Sequence, residues 1–426
     1  MLGLMLIASP FFSGKAFADE NAVPDMNFRH HINKYLGRAK PYEQDVLPSD
    51  VDHIVLFIME EKDISSIEGI QHFKKLKSLY MGNNNISDLG PLKDMKRLKT
   101  LYFDNNKVKD LTPIAGLTEM DGIVMNGNDI SDLSPLSGMK KLRILRMDGT
   151  LVTDLGPLSG ITNLNELEAE DNSIEDLRPL ASVTGMKELF LSDNEIKDIS
   201  PLSNLHSMTR LFIDGNHVAD MSPMKDIHLD ELHANDQTVE VTAKKGQVAN
   251  PPKARDGSAV TDLAELQNLK LENGNLALTD KSKGGSAKFT AENGNFTGTI
   301  TVRPVATYTL KVNNGKADQT SYEAGEKVTL TADKAAVGKE FSGWKVIKGD
   351  VKVAEDGTFT MPANDVEVKA VYRDKSNDKA SGEDKNKTDK NAGPSTGDGS
   401  PLPASMLLLA LSAAGLYAFA GRKRRA

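Results

Sequence analysis

The sequence predicts a repeat solenoid, with parallel β-strands on its concave face and 3₁₀ or short helical turns on its convex face, followed by two small all-β modules. Three observations carry that expectation. Apolar residues recur at a fixed 22-residue step, an Asn, an Asp and a Pro recur in the same register, and beyond residue 240 the pattern changes to short alternating runs.

The repeat follows the template L-x-x-L-x-L-x-x-N-x-I-x-D-L-x-P-L. Its first position falls at Ile54, Leu76, Leu98, Met120, Leu142, Leu164, Met186 and Met208. Asn recurs at Asn84, Asn106, Asn128, Asn172, Asn194 and Asn216, with Thr150 as the exception. Pro recurs from Pro91 to Pro223, so seven of the 18 prolines serve one repeat position. The L-x-L core gives a short strand with alternating faces. An Asn amide both donates and accepts, so it can bond neighbouring coils and repeat as a ladder. In D-L-x-P-L, Asp can satisfy the first N–H groups of a helical turn, and Pro fits its first turn. With 22 residues per coil, a 3₁₀ turn fits better than a full helix. No unit buries its apolar face alone, so stacking supplies the core. The first unit, with Lys62 for Asn and Gly69 for Pro, suits an end. A ninth, degenerate unit starts at Leu229, one residue early.

These residues resemble a leucine-rich repeat solenoid of the internalin kind. Val23 to Phe28 and the periodic stretch to Leu36 resemble the helical N-terminal cap of internalins. Asp236-Gln237-Thr238-Val239 resembles their passage into an immunoglobulin-like module, with which the alternation at 288–290 and 298–302 is consistent. Phe341-Ser342-Gly343-Trp344, Phe359 to Val366 and Val371-Tyr372 resemble the internalin-type B-repeat, in which Trp344 would be a core residue. The resemblance implies a cap over 19–53, repeats over 54–239, an immunoglobulin-like module over 240–305 and a β-rich B-repeat over 306–373. Residues 374–392 lack large apolar side chains, so 374–396 is expected to be a disordered wall-spanning spacer.

The ends suggest an address. An apolar run at 2–12, then Ala16-Phe17-Ala18 and two acids, reads as a signal peptide over 1–18, cleaved after Ala18. No charge lies between Gly399 and Gly421, and four basic residues follow, as in a membrane span with a cytoplasmic tail. Upstream, Gly393-Pro394-Ser395-Thr396-Gly397 resembles the L-P-x-T-G sorting signal of Gram-positive surface proteins. Pro394, Thr396 and Gly397 match, and Gly393 stands where Leu is usual. The resemblance implies sortase cleavage after Thr396, with 397–426 discarded and the chain attached to peptidoglycan. The alternative is a simple transmembrane anchor. Residues 19–396 would carry a net charge of −12, against −8 for the full 426 residues.

Mean hydropathy is −0.38, which excludes a polytopic membrane protein. The acidic balance argues against nucleic acid as a partner. Zero cysteine excludes disulfides, thiolate metal sites and thiol nucleophiles. No H-E-x-x-H, P-loop or G-x-S-x-G occurs, and the Asp-Asn turns lack the Gly and terminal Glu of a calcium loop. No cofactor, no metal and no enzymatic activity are expected.

The working surface is then the concave face. Its central row reads Ile58, Tyr80, Tyr102, Val124, Arg146, Glu168, Phe190, Phe212 and His233, with Glu166, Glu188 and Arg210 two places before and Glu170 two places after. Eight strand intervals span roughly 38 Å, long enough for a protein domain or peptide. Four Tyr or Phe in one row favour a partner that covers them. The acidic centre, from Asp148 to Glu188, favours a basic patch on that partner. The sequence therefore predicts a Gram-positive surface adhesin that binds a protein ligand, a host cell-surface receptor by preference, through Tyr80, Tyr102, Arg146, Glu166, Glu168, Glu170, Glu188, Phe190, Arg210 and Phe212. The alternative is a structural surface protein that binds cell-wall or neighbouring-cell glycans.

Overall fold

The computed structural model describes residues 22–243 and 248–375. Ala16, Ala18, Pro394, Thr396, Gly397, the spacer and the C-terminal apolar segment lie outside the described residues. Nine strands form one parallel sheet: β1 Leu56–Ile58, β2 Ser78–Tyr80, β3 Thr100–Tyr102, β4 Gly122–Val124, β5 Ile144–Arg146, β6 Glu166–Glu168, β7 Glu188–Phe190, β8 Arg210–Phe212 and β9 Glu231–Thr242. Up to β8 each strand pairs with the residues 22 places on, as in Tyr80 with Tyr102. Short 3₁₀ turns such as Gly90–Leu92 and Ser134–Leu136 return the chain between strands. The sheet-and-turn architecture expected from the period is the one observed.

The polar template positions have defined jobs. Asp88 Oδ1 accepts the Gly90 N–H at 2.7 Å, and Asp110, Asp132, Asp154, Asp176, Asp198 and Asp220 repeat that bond two residues on. The carboxylate thus satisfies the first N–H of the turn, and Pro, which has none, follows directly. Each ladder Asn ties two coils together. Asn128 donates to the carbonyls of Phe103 and Met125, both at 3.0 Å, and its Oδ1 accepts the Val108 N–H at 3.0 Å.

Thr150 breaks the ladder because a hydroxyl carries one proton. It donates to Met147 O or to Asn172 Oδ1, and neither Met125 O nor the Ile130 N–H gains its bond from this rung. Thr150→Asn is expected to restore both and raise stability by about 1 kcal/mol. The denaturant midpoint measures this, and an unchanged or lower midpoint contradicts it.

Helices α1 (Met26–Tyr35) and α2 (Pro48–Val51) precede the first coil. Phe28 and Ile32 of α1 are buried, with the Phe28 ring 6.3 Å from Phe57 and 6.4 Å from Phe73. Asp25 caps α1 through the Phe28 N–H. Its second oxygen accepts Ser65 and Ser66 from the first coil. Burial raises the Asp25 pKa, but these hydrogen bonds outweigh it and hold the carboxyl below its usual value. Gly69 stands at the template proline with φ 104°, and a Cβ there would collide with the Ala22 carbonyl.

At the other end β9 contains the boundary expected between 239 and 240. Its start pairs with β8, and from Ala234 it pairs in parallel with a strand of the next region. That region comprises β10 (Val248–Ala249), β11 (Leu263–Gln267), β12 (Leu269–Glu272), β13 (Asn275–Leu278), β14 (Gly285–Ala291) and β15 (Phe296–Arg303). The sheet order continues β9-β15-β14-β11, and β10-β13-β12 form a second sheet. One apolar core runs from Val23 to Val302, so solenoid and following region share a core rather than abut. Gln237, fully buried, supplies the last rung: it donates to Ile213 O at 2.8 Å and accepts the Val218 N–H at 2.8 Å.

A separate core holds Leu310, Tyr322, Val328, Phe359, Met361 and Val368, with Trp344 partly buried against it. Its strands include β16 (Thr307–Asn313), which pairs with β18 (Ser321–Glu323), and β19 (Lys327–Ala332), which pairs with β17 (Gly315–Ala317). Among the described residues, Lys334–Ser342 and the stretch 371–375 form a second unit. Within it Arg373 pairs with Glu340 at 2.7 Å.

Candidate ligand-binding face

The 22-residue register places every expected binding residue on one face, in a strand or just after one. The Tyr80 and Tyr102 rings meet edge to face with centroids 4.7 Å apart, and both remain half-buried. Phe190 and Phe212 repeat the arrangement at 4.9 Å. The two pairs differ in cover. The Arg210 guanidinium lies 4.9 Å from the Phe190 ring and 5.3 Å from the Phe212 ring, and Phe190 is only 9% exposed. The sequence expectation of four bare aromatics is therefore corrected at Phe190, which its own neighbours already cover. The tyrosine pair is the open aromatic contact.

The charges are also braced. Arg146 contacts Glu166 at 2.6 Å and Glu168 at 3.3 Å. Arg210 reaches Glu188 at 2.8 Å and Glu231 at 2.9 Å. The two arginines thus offset part of the acidic centre. Asp171 has a local reason to be an Asx residue. It occupies a turn position with φ 52°, where Asn83, Asn105 and Asp193 also have positive φ, and Asx residues tolerate that region. Asn126, which the sequence did not single out, accepts the Asp148 N–H and donates to its carboxylate, both at 2.9 Å. The signal was available: Asn126 lies 22 residues before Asp148.

What remains is a crowded carboxylate group. Burial raises the pKa of Asp148 and of Glu170. Glu168 is pushed up to about 7, first by burial and then by Asp148, Glu166 and Glu170, against the pull of Arg146. A folded pKa above the unfolded one means that ionised Glu168 opposes folding. Its cost is fully present above pH 7 and fades as pH falls toward the ordinary glutamate range. Glu168→Gln is expected to raise the thermal midpoint at pH 8 and to remove part of the stability that wild type gains on acidification to pH 5.5. A variant as pH-sensitive as wild type contradicts this. Among the described residues no group of three or more His, Asp or Glu could hold a metal ion.

Two sequence profiles match parts of the chain, and solved structures resemble parts of it. The Leucine Rich repeats (2 copies) profile matches residues 74–116 and 184–226, and the Divergent InlB B-repeat domain matches 307–376. An internalin C2 from Listeria monocytogenes is 31% identical over 48% of this chain and 89% of its own, with a TM-score of 0.46. An internalin, InlF, from the same organism is 26% identical over 51% of this chain and 78% of its own, at 0.39. The functional domain of InlJ from Listeria monocytogenes is 14% identical over 66% and 97%, at 0.33. A comparison with curated proteins finds no match.

Proposed function

The chain belongs to the internalin-like leucine-rich-repeat proteins and carries a divergent B-repeat, and on that footing we propose that it is a bacterial surface adhesin whose concave face binds a folded protein. The family is non-enzymatic, so the face is read as a binding surface. The observation that carries the proposal is the Tyr80–Tyr102 pair: two half-buried rings stand on an open sheet, with a group of partly buried carboxylates further along the same face, from β5 onward. An apolar contact flanked by acids fits a partner with an aromatic or aliphatic anchor and an adjacent basic patch. A host cell-surface receptor is the partner we favour. Attachment through Pro394, Thr396 and Gly397 to peptidoglycan by a sortase, after loss of a signal ending Ala16–Ala18, is part of the same proposal and rests on sequence. The B-repeat and spacer would hold the face clear of the wall.

The test presents the full chain to a panel of purified mammalian ectodomains and, in parallel, to purified wall glycan. Saturable binding to an ectodomain, weakened by salt and untouched by free sugars, is the expected result. Binding to wall glycan alone, competed by free sugars, would overturn the receptor reading in favour of a structural one.

A further inference from the structure

The loops that enter β2 and β3 carry a charge pattern opposite to the rest of the molecule. Residues 71–99 hold seven cations and two carboxylates, a net +5 within a chain of net −8. Lys74, Lys75, Lys77, Lys93, Lys96, Arg97 and Lys99 are all exposed. Six of them stack in register, 22 residues apart: Lys74 with Lys96, Lys75 with Arg97, and Lys77 with Lys99. Neighbouring coils lie about 4.8 Å apart, so like charge faces like charge at close range.

The next coils show what the same register does when charge is balanced. Glu119 pairs with Lys141 at 2.7 Å, and Asp121 takes Arg143 in a two-point contact. Those residues stand 22 apart at the positions that hold Lys75, Arg97, Lys77 and Lys99 in the earlier coils. The repeat therefore accommodates an ion pair there, and the loops entering β2 and β3 carry two cations instead. No carboxylate stands within ion-pair distance of Lys75, Lys77, Arg97 or Lys99 among the described residues. Lys96 is fixed instead on the carbonyls of Lys93 and Gly116. Between the two loops opens a cleft of about 330 Å³. Lys74, Lys96 and Arg97 edge it, Phe73 and Leu76 line it, and Asp94 is its acidic residue.

We propose that this basic edge is a second binding site, separate from the concave row, for a linear polyanion bearing phosphate or sulfate groups. Ordered cations a few ångströms apart match the repeated charge of such a polymer, and the release of its counterions supplies the driving force. Arg97 offers two parallel N–H donors to a tetrahedral oxyanion, and the lysines act as point charges. The net acidity of the chain discourages polyanions over most of its surface, and charge reversal within 71–99 separates this edge from the four basic residues at 422–425. A phosphodiester polymer of the bacterium's own wall and a sulfated glycan of a host cell share this chemistry.

The experiment titrates the full chain at low salt with a heparin oligosaccharide, a glycerol-phosphate oligomer, neutral dextran and short duplex DNA. Binding of heparin or of the phosphate oligomer is expected, with log K falling as log salt rises. The triple variant Lys75→Glu, Arg97→Glu, Lys99→Glu should lose about tenfold or more in affinity and show a shallower salt slope. Lys187→Glu, at the register of Lys77 but isolated, should not, and neither should Tyr80→Ala with Tyr102→Ala. Stronger binding of the phosphate oligomer assigns the wall polymer, and stronger binding of heparin assigns the host glycan. No binding of either, undiminished binding by the triple variant, or binding of DNA alone overturns the proposal.

Discussion

Asn128→Ala is expected to lower the free energy of unfolding by about 3 kcal/mol. Asn128 is 2% exposed and serves two coils at once. Its loss leaves the Val108 N–H without its acceptor. It also strips Met125 O of a donor that Thr150, in the next coil, does not replace. Buried polar groups left without partners each cost about 1–3 kcal/mol, while the apolar loss from an Asn is small. Asn128→Leu should be no better, because added volume cannot satisfy the carbonyls. Chemical denaturation measures the change, and a loss below about 1 kcal/mol would mean that water or backbone shifts replace the ladder. In a solenoid the damage should begin locally, since each coil contacts only its neighbours. Hydrogen exchange should therefore quicken first around Val108.

The second large effect concerns binding. Tyr80→Ala with Tyr102→Ala is expected to weaken an ectodomain ligand by about 2 kcal/mol or more, roughly thirtyfold, without loss of fold. The rings project from β2 and β3, while Leu79 and Leu101 between them remain fully buried. Phe190→Ala should behave differently. Phe190 is nine-tenths covered by its own neighbours, so its truncation should cost stability before it costs contact. Calorimetric titration next to a melting curve separates the two. Charge reversal at Glu170 should act chiefly on the association rate and its salt dependence. A tyrosine double variant that binds as wild type would move the site off this row.

Much of this architecture was legible because one number, the period, fixes register. Once the step is 22, Tyr80 must face Tyr102 and Glu188 must face Arg210, and both pairs are observed. The same offset would have exposed the braces Glu119–Lys141 and Glu195–His217, which are one step apart. Legibility failed where the register slips. A plain 22-residue step from Asn216 puts Thr238 at the rung, but the ninth unit starts one residue early, at Leu229, and so brings Gln237 there. The run of β9 across the expected boundary was hidden for another reason. Glu231–Thr242 contains neither Gly nor Pro, and its one local mark is Asp236, at φ 56° where the register against β15 shifts. The cover over Phe190 was out of reach as well, because it depends on where the Arg210 side chain folds back.

Side-chain footprinting by hydroxyl radicals tests the central claim most directly. The full chain is labelled alone and with a bound ectodomain, and oxidation is read residue by residue. Protection of Tyr80, Tyr102 and Phe212, with unchanged labelling of Met26, Leu151 and Phe341, is the result the concave-face account predicts. Protection confined to the 3₁₀ turns or to residues 307–375, with the two tyrosines oxidised as before, would contradict it.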